Sequence, residues 1–235
     1  EKQNIPKNVK VYRCSALDAS RDLSIKGKYF GWSKVPDRWW SWSISAIPLG
    51  KKLIEKYKPQ IIWSTYPVST AHFIAYKLQG YSKLPWIADY RDPLQCRYDD
   101  DALAYSGVAK WIEKKTVQHA SNVIFTTARA AELYQRLYPD QLLKKFQVIG
   151  NGYDEANFTD LEYDTEATAH TGKFTLLHSG SIYANGRDPS ALFQALHQLL
   201  NLGVISSDNF VLAFRGGSVN SKFQALLISL GIDQL

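Results

Sequence analysis

The chain holds 235 residues, 45% of them hydrophobic and 21% charged, which is enough material for a sizeable core in one large domain or two modest ones. No run is long and apolar enough to cross a membrane as a helix, no secretory signal follows Glu1, and the two cysteines, Cys14 and Cys96, make neither a disulfide framework nor a metal-ligand spacing. The formal charge of +6 is carried by the front: residues 1–60 hold 13 Lys/Arg against 5 Asp/Glu, residues 61–172 hold 11 against 14, and residues 173–235 hold 4 against 3. A basic front containing Trp39, Trp40 and Trp42 suits anionic lipid headgroups or nucleic acid, while a plain solvated surface is the commoner case. The cysteine count makes a reducing compartment the expectation. The chain starts at Glu1 and contains no methionine, so the expectation is either that something was removed in front or that the residues are part of a longer protein.

In chain order, Val9 to Tyr12 alternates and reads as a strand. Residues 15–38 lack periodicity and contain Gly27, Gly31 and Pro36, so a long loop is expected before the Trp cluster. Residues 44–57 set Ile47, Leu53 and Ile54 at helical spacing among Lys51, Lys52, Glu55 and Lys56, and Pro59 stops the helix. A strand, IIWS, runs to Ser64. Thr65-Tyr66-Pro67 turns the chain, and Ser69 or Thr70 can cap a helix that Gly80 ends. Residues 86–93, WIADYRDP, pass from an apolar stretch behind Pro85 into Asp89, Arg91 and Asp92, the way a buried parallel strand emerges at its end. A polar loop with Asp99-Asp100-Asp101, a helix from about Ser106 to His119, a strand at 122–126, a helix at 127–137 and a strand at 146–149 follow. This alternation predicts a parallel sheet covered on both faces, with right-handed crossovers.

The pattern breaks at Gly150-Asn151-Gly152. Six acidic residues and no basic one lie between Asp154 and Glu166, so residues 151–172 read as an acidic linker. Alternation resumes with a strand at 174–178, a glycine loop, a helix from Pro189 to about Asn201, a strand at 210–214, Gly216-Gly217 and a helix to Gly231. Two parallel strands do not make an independent sheet, so either this unit adds to the first sheet or residues 173–235 are the truncated start of a second domain after a first one at 1–150; the linker favours the second reading.

Ligands of open α/β sheets sit beyond the carboxyl ends of the strands, which singles out three places. At the first, Asp89 and Asp92 could orient a hydroxyl or accept its proton, with Arg91 between them; the plain alternative is a salt-bridge cluster closing a loop. At the second, Thr65 and Tyr66 end the preceding strand, and nearby His72 reads as a helix residue rather than a catalyst. At the third, Gly180, Ser181, Gly186 and Arg187 precede a helix that Pro189 can start. Helix N–H groups and a guanidinium fork favour an anion such as phosphate, although the spacing is neither a Walker loop nor the dinucleotide fingerprint, and an ordinary strand–loop–helix connection looks the same. Asp99-Asp100-Asp101 has no histidine beside it and reads as a solvated charge run, not a metal site.

Taken in order, PDRWW (36–40), IIWSTYPVSTAH (61–72), WIADYRDP (86–93), VIFTT (123–127), VIGNGYDEANF (148–158), the glycine loop with Arg187, and VLAFRGG (211–217) resemble glycosyltransferase family 4, the group 1 transferases whose GT-B fold has two facing Rossmann-like domains. The resemblance covers nearly the whole chain and rests most on the junction motif combined with the strand end at 89–93. It implies an α/β, GT-B-like fold of two Rossmann-like parallel-sheet domains. Residues 1–150 would be the acceptor-side domain, with a first strand expected before Glu1. Residues 173–235 would be the truncated start of the nucleotide-sugar-binding domain, with a glutamate pair expected after Leu235.

The resemblance also implies an activity: transfer of a sugar, with retained anomeric configuration, from a nucleoside diphosphate sugar to a glycan or lipid-linked acceptor in bacterial polysaccharide biosynthesis. Asp89 and Asp92 would be catalytic, with Thr65, Tyr66 and Arg91 on the acceptor side. Gly180, Ser181 and Arg187 would neutralise the donor diphosphate electrostatically, with no cofactor and no metal. The expected place is the cytoplasm, with peripheral contact at the inner face of the membrane, and no nucleic acid is expected as a partner. Two rival readings remain: a GT-B sugar-nucleotide epimerase, which needs no acceptor, and a non-catalytic basic binding module, which the acidic middle of the chain disfavours.

Overall fold

A computed structural model describes residues 5–19, 21–22, 35–94, 107–157, 172–180, 182, 188–215 and 221–235. The chain divides into two compact units, Glu1–Gly152 and Tyr153–Leu235. In the first unit, helix α1 (Trp42–Tyr57) is followed by β1 (Ile62–Thr65), α2 (Ser69–Ser82), β2 (Trp86–Arg91), α3 (Gly107–His119), β3 (Asn122–Phe125), α4 (Ala128–Leu137) and β4 (Phe146–Val148). The four strands form one parallel sheet in the order β1-β2-β3-β4. Each adjacent pair is joined through a helix, because parallel neighbours need a crossover. The second unit holds β5 (Phe174–Ser179), α5 (Ser190–Asn201), β6 (Phe210–Arg215) and α6 (Ser221–Ser229), with β5 and β6 paired in parallel.

Side-chain spacing explains these elements. The buried residues of α3 are Ala109, Ile112, Glu113, Thr116 and Val117, a stripe at intervals of three and four. Along β2, Trp86, Ala88 and Tyr90 are buried while Ile87 and Asp89 are half-buried, the period of a strand. The first core gathers Trp86, Tyr90, Phe125, Tyr134 and Phe146. Trp86 can be fully buried because its indole N–H donates to Ser64 Oγ at 2.8 Å, and the same hydroxyl lies 2.7 Å from His72 Nδ1. The second core is built from Phe193, Leu196, Phe210, Phe223 and Ile232.

Several sequence expectations are corrected. Val9 to Tyr12 is not a strand: Val9 and Val11 are exposed, and the segment lies along the end of α1, where the Tyr12 and Tyr57 hydroxyls bond and Lys10 Nζ sits 4.7 Å over the Tyr57 ring. Gly80 does not end α2. The helix continues to Ser82 because α1 holds Tyr81, its hydroxyl bonded to Glu55 and its ring 4.9 Å from Lys51 Nζ. Lys83 then stops it in the left-handed conformation (φ 59°), its N–H donating to Gln79 O at 2.8 Å, and Lys58 (φ 46°) ends α1 in the same way. On the sheet face opposite Trp86 burial is uneven: Ile124 of β3 is 6% exposed, while Trp63 of the edge strand β1 is 55% exposed. Pro189 precedes α5 instead of starting it, and Ser190 N–H is capped by Asp188 Oδ1 at 2.8 Å. Gly216, Gly217, Asp99, Asp100, Asp101, residues 20 and 23–34 of the expected loop, and 158–171 of the expected linker lie outside the described residues.

Ser69 and Thr70 lie inside α2 and do not cap it. The acceptor comes from far away in sequence: Asp37 Oδ2 takes the Thr70 N–H at 2.7 Å and the Thr70 hydroxyl at 2.9 Å, while its Oδ1 takes the Trp39 N–H at 2.9 Å. Helices α1 and α2 also touch so closely that a Cβ built on Gly50 would lie 2.7 Å from Leu78 Cδ1. Asp37→Ala is expected to lower stability by about 1–2 kcal/mol, the usual cost of losing a cap. Asp37→Asn should lose less, since its amide oxygen still accepts; urea denaturation of the two variants measures the difference.

Candidate active site

The register of the sheet brings Thr65 beside Asp89 and Arg91 beside Phe125, so β1, β2 and β3 end at one edge. Between β2 and β3 the pairing slips: Asp89 faces Ile124 and Arg91 faces Phe125, leaving Tyr90 as the extra residue of a bulge. Arg91 then takes a φ of 56°, a left-handed conformation that a side-chain-bearing residue keeps only where its surroundings enforce it. The enforcement is visible. Asp92 N–H closes back onto Tyr90 O at 2.5 Å, and Arg91 O accepts both the Thr126 hydroxyl at 2.7 Å and the Thr126 N–H at 3.3 Å. Asp89 O accepts the Tyr66 N–H at 2.9 Å, and Leu94 N–H donates to the Tyr134 hydroxyl at 3.1 Å. Beneath the bulge the Tyr90 ring is wedged 4.6 Å from His72, 5.4 Å from Tyr134 and 5.7 Å from Phe125.

The side chains at this edge divide into two groups. Thr65 donates its hydroxyl to Asp89 Oδ2 at 3.1 Å, so these two residues are brought together. Arg91 and Asp92 are exposed, and among the described residues Arg91 forms no ion pair with either aspartate; the closed salt-bridge cluster is not what forms. Tyr66 is 3% exposed, stacked 6.3 Å from Tyr90 and clustered with Leu94 and Ala109, so it underlies the edge instead of lining it. Burial holds the His72 imidazole down to about 3, so this residue is neutral near pH 7 and is a structural partner of Ser64 and Trp86.

Glu113 was not singled out in the sequence. It is 2% exposed, accepting from the Tyr134 hydroxyl at 2.9 Å and the Tyr138 hydroxyl at 2.6 Å. Burial pushes its carboxyl up, and the two tyrosine hydroxyls oppose that shift. The one signal in the sequence was a carboxylate at a position that falls on the buried stripe of α3.

In the second unit, Gly180 follows β5 with a φ of 135°, a backbone conformation that only glycine adopts easily. Its N–H donates to Arg215 O at 2.8 Å, so that amide serves the sheet, and the site's remaining residues Ser181, Gly186 and Arg187 lie outside the described residues. Among the described residues no group of His, Cys, Asp or Glu could hold a metal ion, and no helix is long and apolar enough to cross a membrane.

Residues 9–157 match the profile of Glycosyltransferase Family 4. The chain belongs to that family. No curated protein matches the sequence. Among solved structures, the sucrose-phosphate synthase of Thermosynechococcus elongatus is similar at 16% identity and a TM-score of 0.58, covering 80% of this chain and 46% of that one. HepE of Anabaena in complex with UDP is similar at 14% identity and a TM-score of 0.56, over 82% and 50% of the two chains. A putative UDP-N-acetylglucosamine 2-epimerase of Listeria monocytogenes is similar at 13% identity and a TM-score of 0.51, over 82% and 49%. The family 4 chain thus has the α/β, parallel-sheet GT-B fold and spans about half the length of these proteins.

His72 generates a pH expectation for the family 4 chain. Its folded value, about 3, lies below the unfolded one, so below pH ~6.5 the unfolded state binds the extra proton and stability falls as pH drops. The slope is at most about 1.4 kcal/mol per pH unit. Denaturation curves between pH 6.5 and 5 should show this fall, and His72→Leu should flatten it.

Proposed function

We propose that the chain is part of a sugar-nucleotide-dependent glycosyltransferase that moves a sugar, with retained anomeric configuration, from a nucleoside diphosphate sugar to a glycan or lipid-linked acceptor. The observation carrying this reading is the left-handed turn at Arg91, held by hydrogen bonds from Tyr66 just after β1, Thr126 just after β3 and Tyr134 on α4, at the edge where α/β sheets receive their ligands. Backbone strain so thoroughly braced, with charged side chains left facing solvent, suits a site whose groups must stand ready for a substrate. In this reading Asp92 takes the proton of the acceptor hydroxyl, Asp89 orients that hydroxyl while Thr65 steadies it, and Arg91 offers a cation to the acceptor.

On the donor side the proposal assigns the diphosphate to Gly180, Ser181, Arg187 and the start of α5. Departure of a nucleoside diphosphate builds negative charge, and fixed N–H groups with a guanidinium stabilise it without a metal or cofactor. Gly180 contributes the turn, since its own N–H is committed to Arg215. The similar HepE structure holds UDP, which supports a uridine nucleotide as the first donor to test. The likeness to an epimerase supports a second reading, isomerisation of the sugar nucleotide with no acceptor; analysis of the products separates the two. The basic, Trp-containing front supports peripheral attachment to an anionic membrane surface, and flotation with anionic vesicles tests it.

For the full-length protein, UDP at 100 times its Kd is expected to raise stability by about 2.7 kcal/mol. Arg187→Ala should weaken UDP binding by roughly tenfold or more, the loss of one charge-assisted contact. Asp92→Asn should leave UDP binding intact and cut sugar transfer by about 100-fold or more. Arg91→Gly relieves the left-handed strain, so stability should stay within about 1 kcal/mol of the original while transfer falls. Undiminished transfer by Asp92→Asn would remove the acceptor-side assignment.

A further inference from the structure

Leu94 closes the turn that carries Arg91 and Asp92. It is buried, whereas those two neighbours are exposed. A buried backbone N–H needs a partner, and here the partner is a side chain, the Tyr134 hydroxyl at 3.1 Å. A tyrosine hydroxyl can donate or accept. To accept from Leu94 with its own proton satisfied, it has to place that proton on another acceptor, and Glu113 Oε2 takes it at 2.9 Å. The other carboxylate oxygen is occupied by the Tyr138 hydroxyl at 2.6 Å, so both arms of Glu113 are used. The result is a directed chain, from Leu94 N–H through the Tyr134 O–H to Glu113, that ties the end of β2 to α4 and α3. Tyr134 has little freedom to aim elsewhere: it is fully buried, and its ring lies 4.6 Å from Phe125 and 5.4 Å from the bulged Tyr90.

We propose that Glu113 is a positioning residue for this edge: through the Tyr134 hydroxyl it fixes the backbone at Leu94, and with it the turn that presents Arg91 and Asp92. The functional part of the inference rests on reading that edge as the acceptor side; the tether itself does not. A carboxylate is unexpected on a buried stripe that is otherwise Ala109, Ile112, Thr116 and Val117, where an aliphatic residue would pack without the cost of desolvating an acid. What the acid provides is an acceptor strong enough to hold the Tyr134 proton, and so keep the tyrosine oxygen turned towards Leu94. Burial shifts the Glu113 carboxyl upward, as a poorly solvated acid requires, yet both of its oxygens are bonded.

Two variants of the full-length protein test this, Tyr134→Phe alone and Tyr134→Phe combined with Glu113→Leu. Four readouts are needed: amide exchange at Leu94, the thermal midpoint, UDP affinity, and turnover of UDP-glucose and UDP-N-acetylglucosamine. Tyr134→Phe should speed Leu94 exchange by about tenfold or more and lower the midpoint, because an amide and a carboxylate lose their partner together. The double variant should regain part of the midpoint, since no acid is left half-satisfied, yet keep the fast Leu94 exchange. Turnover should fall by roughly tenfold in both variants, with donor KM and UDP affinity unchanged, because the donor site is untouched. Unchanged Leu94 exchange in Tyr134→Phe overturns the tether. Recovery of exchange and turnover along with the midpoint in the double variant also overturns it, since a purely structural role would behave that way. The exchange measurement needs no turnover, so a wild-type chain inert toward both donors would overturn UDP-glucose and UDP-N-acetylglucosamine as its donors and leave the tether to be decided by exchange alone.

Discussion

A main chain that turns left-handed at a residue with a full side chain has to be held from several directions, and the first unit is arranged around doing this at Arg91. A left-handed non-glycine residue costs about 1–2 kcal/mol, while a typical intramolecular hydrogen bond contributes a net of about 0.5–1.5 kcal/mol. One bond would not reliably hold the turn; the set made by Tyr66, Thr126 and Tyr134 can. Tyr66 follows β1, Thr126 follows β3 and Tyr134 lies on α4, so the conformation depends on the elements around β2 and not on β2 alone. Aromatic packing under the bulge completes the support, because Tyr90 is displaced from the ladder but remains buried against His72, Phe125 and Tyr134.

Much of the architecture was legible in the residues. Short apolar runs that become polar at their ends marked β1, β2 and β3 to within a residue or two, and the alternation of strand and helix pointed to parallel pairing. The strand end at Asp89, Arg91 and Asp92 could be found because charge after an apolar run is a local signal. What local signals could not carry was anything that depends on a distant partner. The cap of α2 comes from Asp37, more than thirty positions earlier, and Gly80 stays helical because Tyr81 is gripped by α1. Val9 to Tyr12 has a strand's alternation but no strand to pair with among the described residues, so it packs its tyrosine against α1 instead. The bulge at Tyr90 is a matter of register between two strands, and register is not written in either one alone. Glu113 was missed for the same reason: its role is set by two tyrosines on α4 and just after it.

The buried polar groups show two ways of placing a hydrogen-bonding group in an apolar interior. In the Ser64, His72 and Trp86 group a single hydroxyl meets an indole N–H and an imidazole nitrogen, and every member stays uncharged. In the Glu113 group an acid is kept in the core by phenolic donors, with the first set of bonds leading outward to a turn at the surface. The first arrangement serves packing alone. The second connects the interior to the edge of the sheet.

Because Asp37 caps a helix from outside it, the stretch around the Trp cluster and the start of α2 form one inherited unit. A lineage that exchanges Asp37 for a residue unable to accept leaves Thr70 without its partner, and one that alters the Thr70 side chain removes one of the three hydrogen bonds that reward an acid at position 37. These two positions should therefore drift as a couple through evolutionary time, while Trp39 is attached to the same carboxylate by its backbone, a contact that any side chain at that position would leave in place.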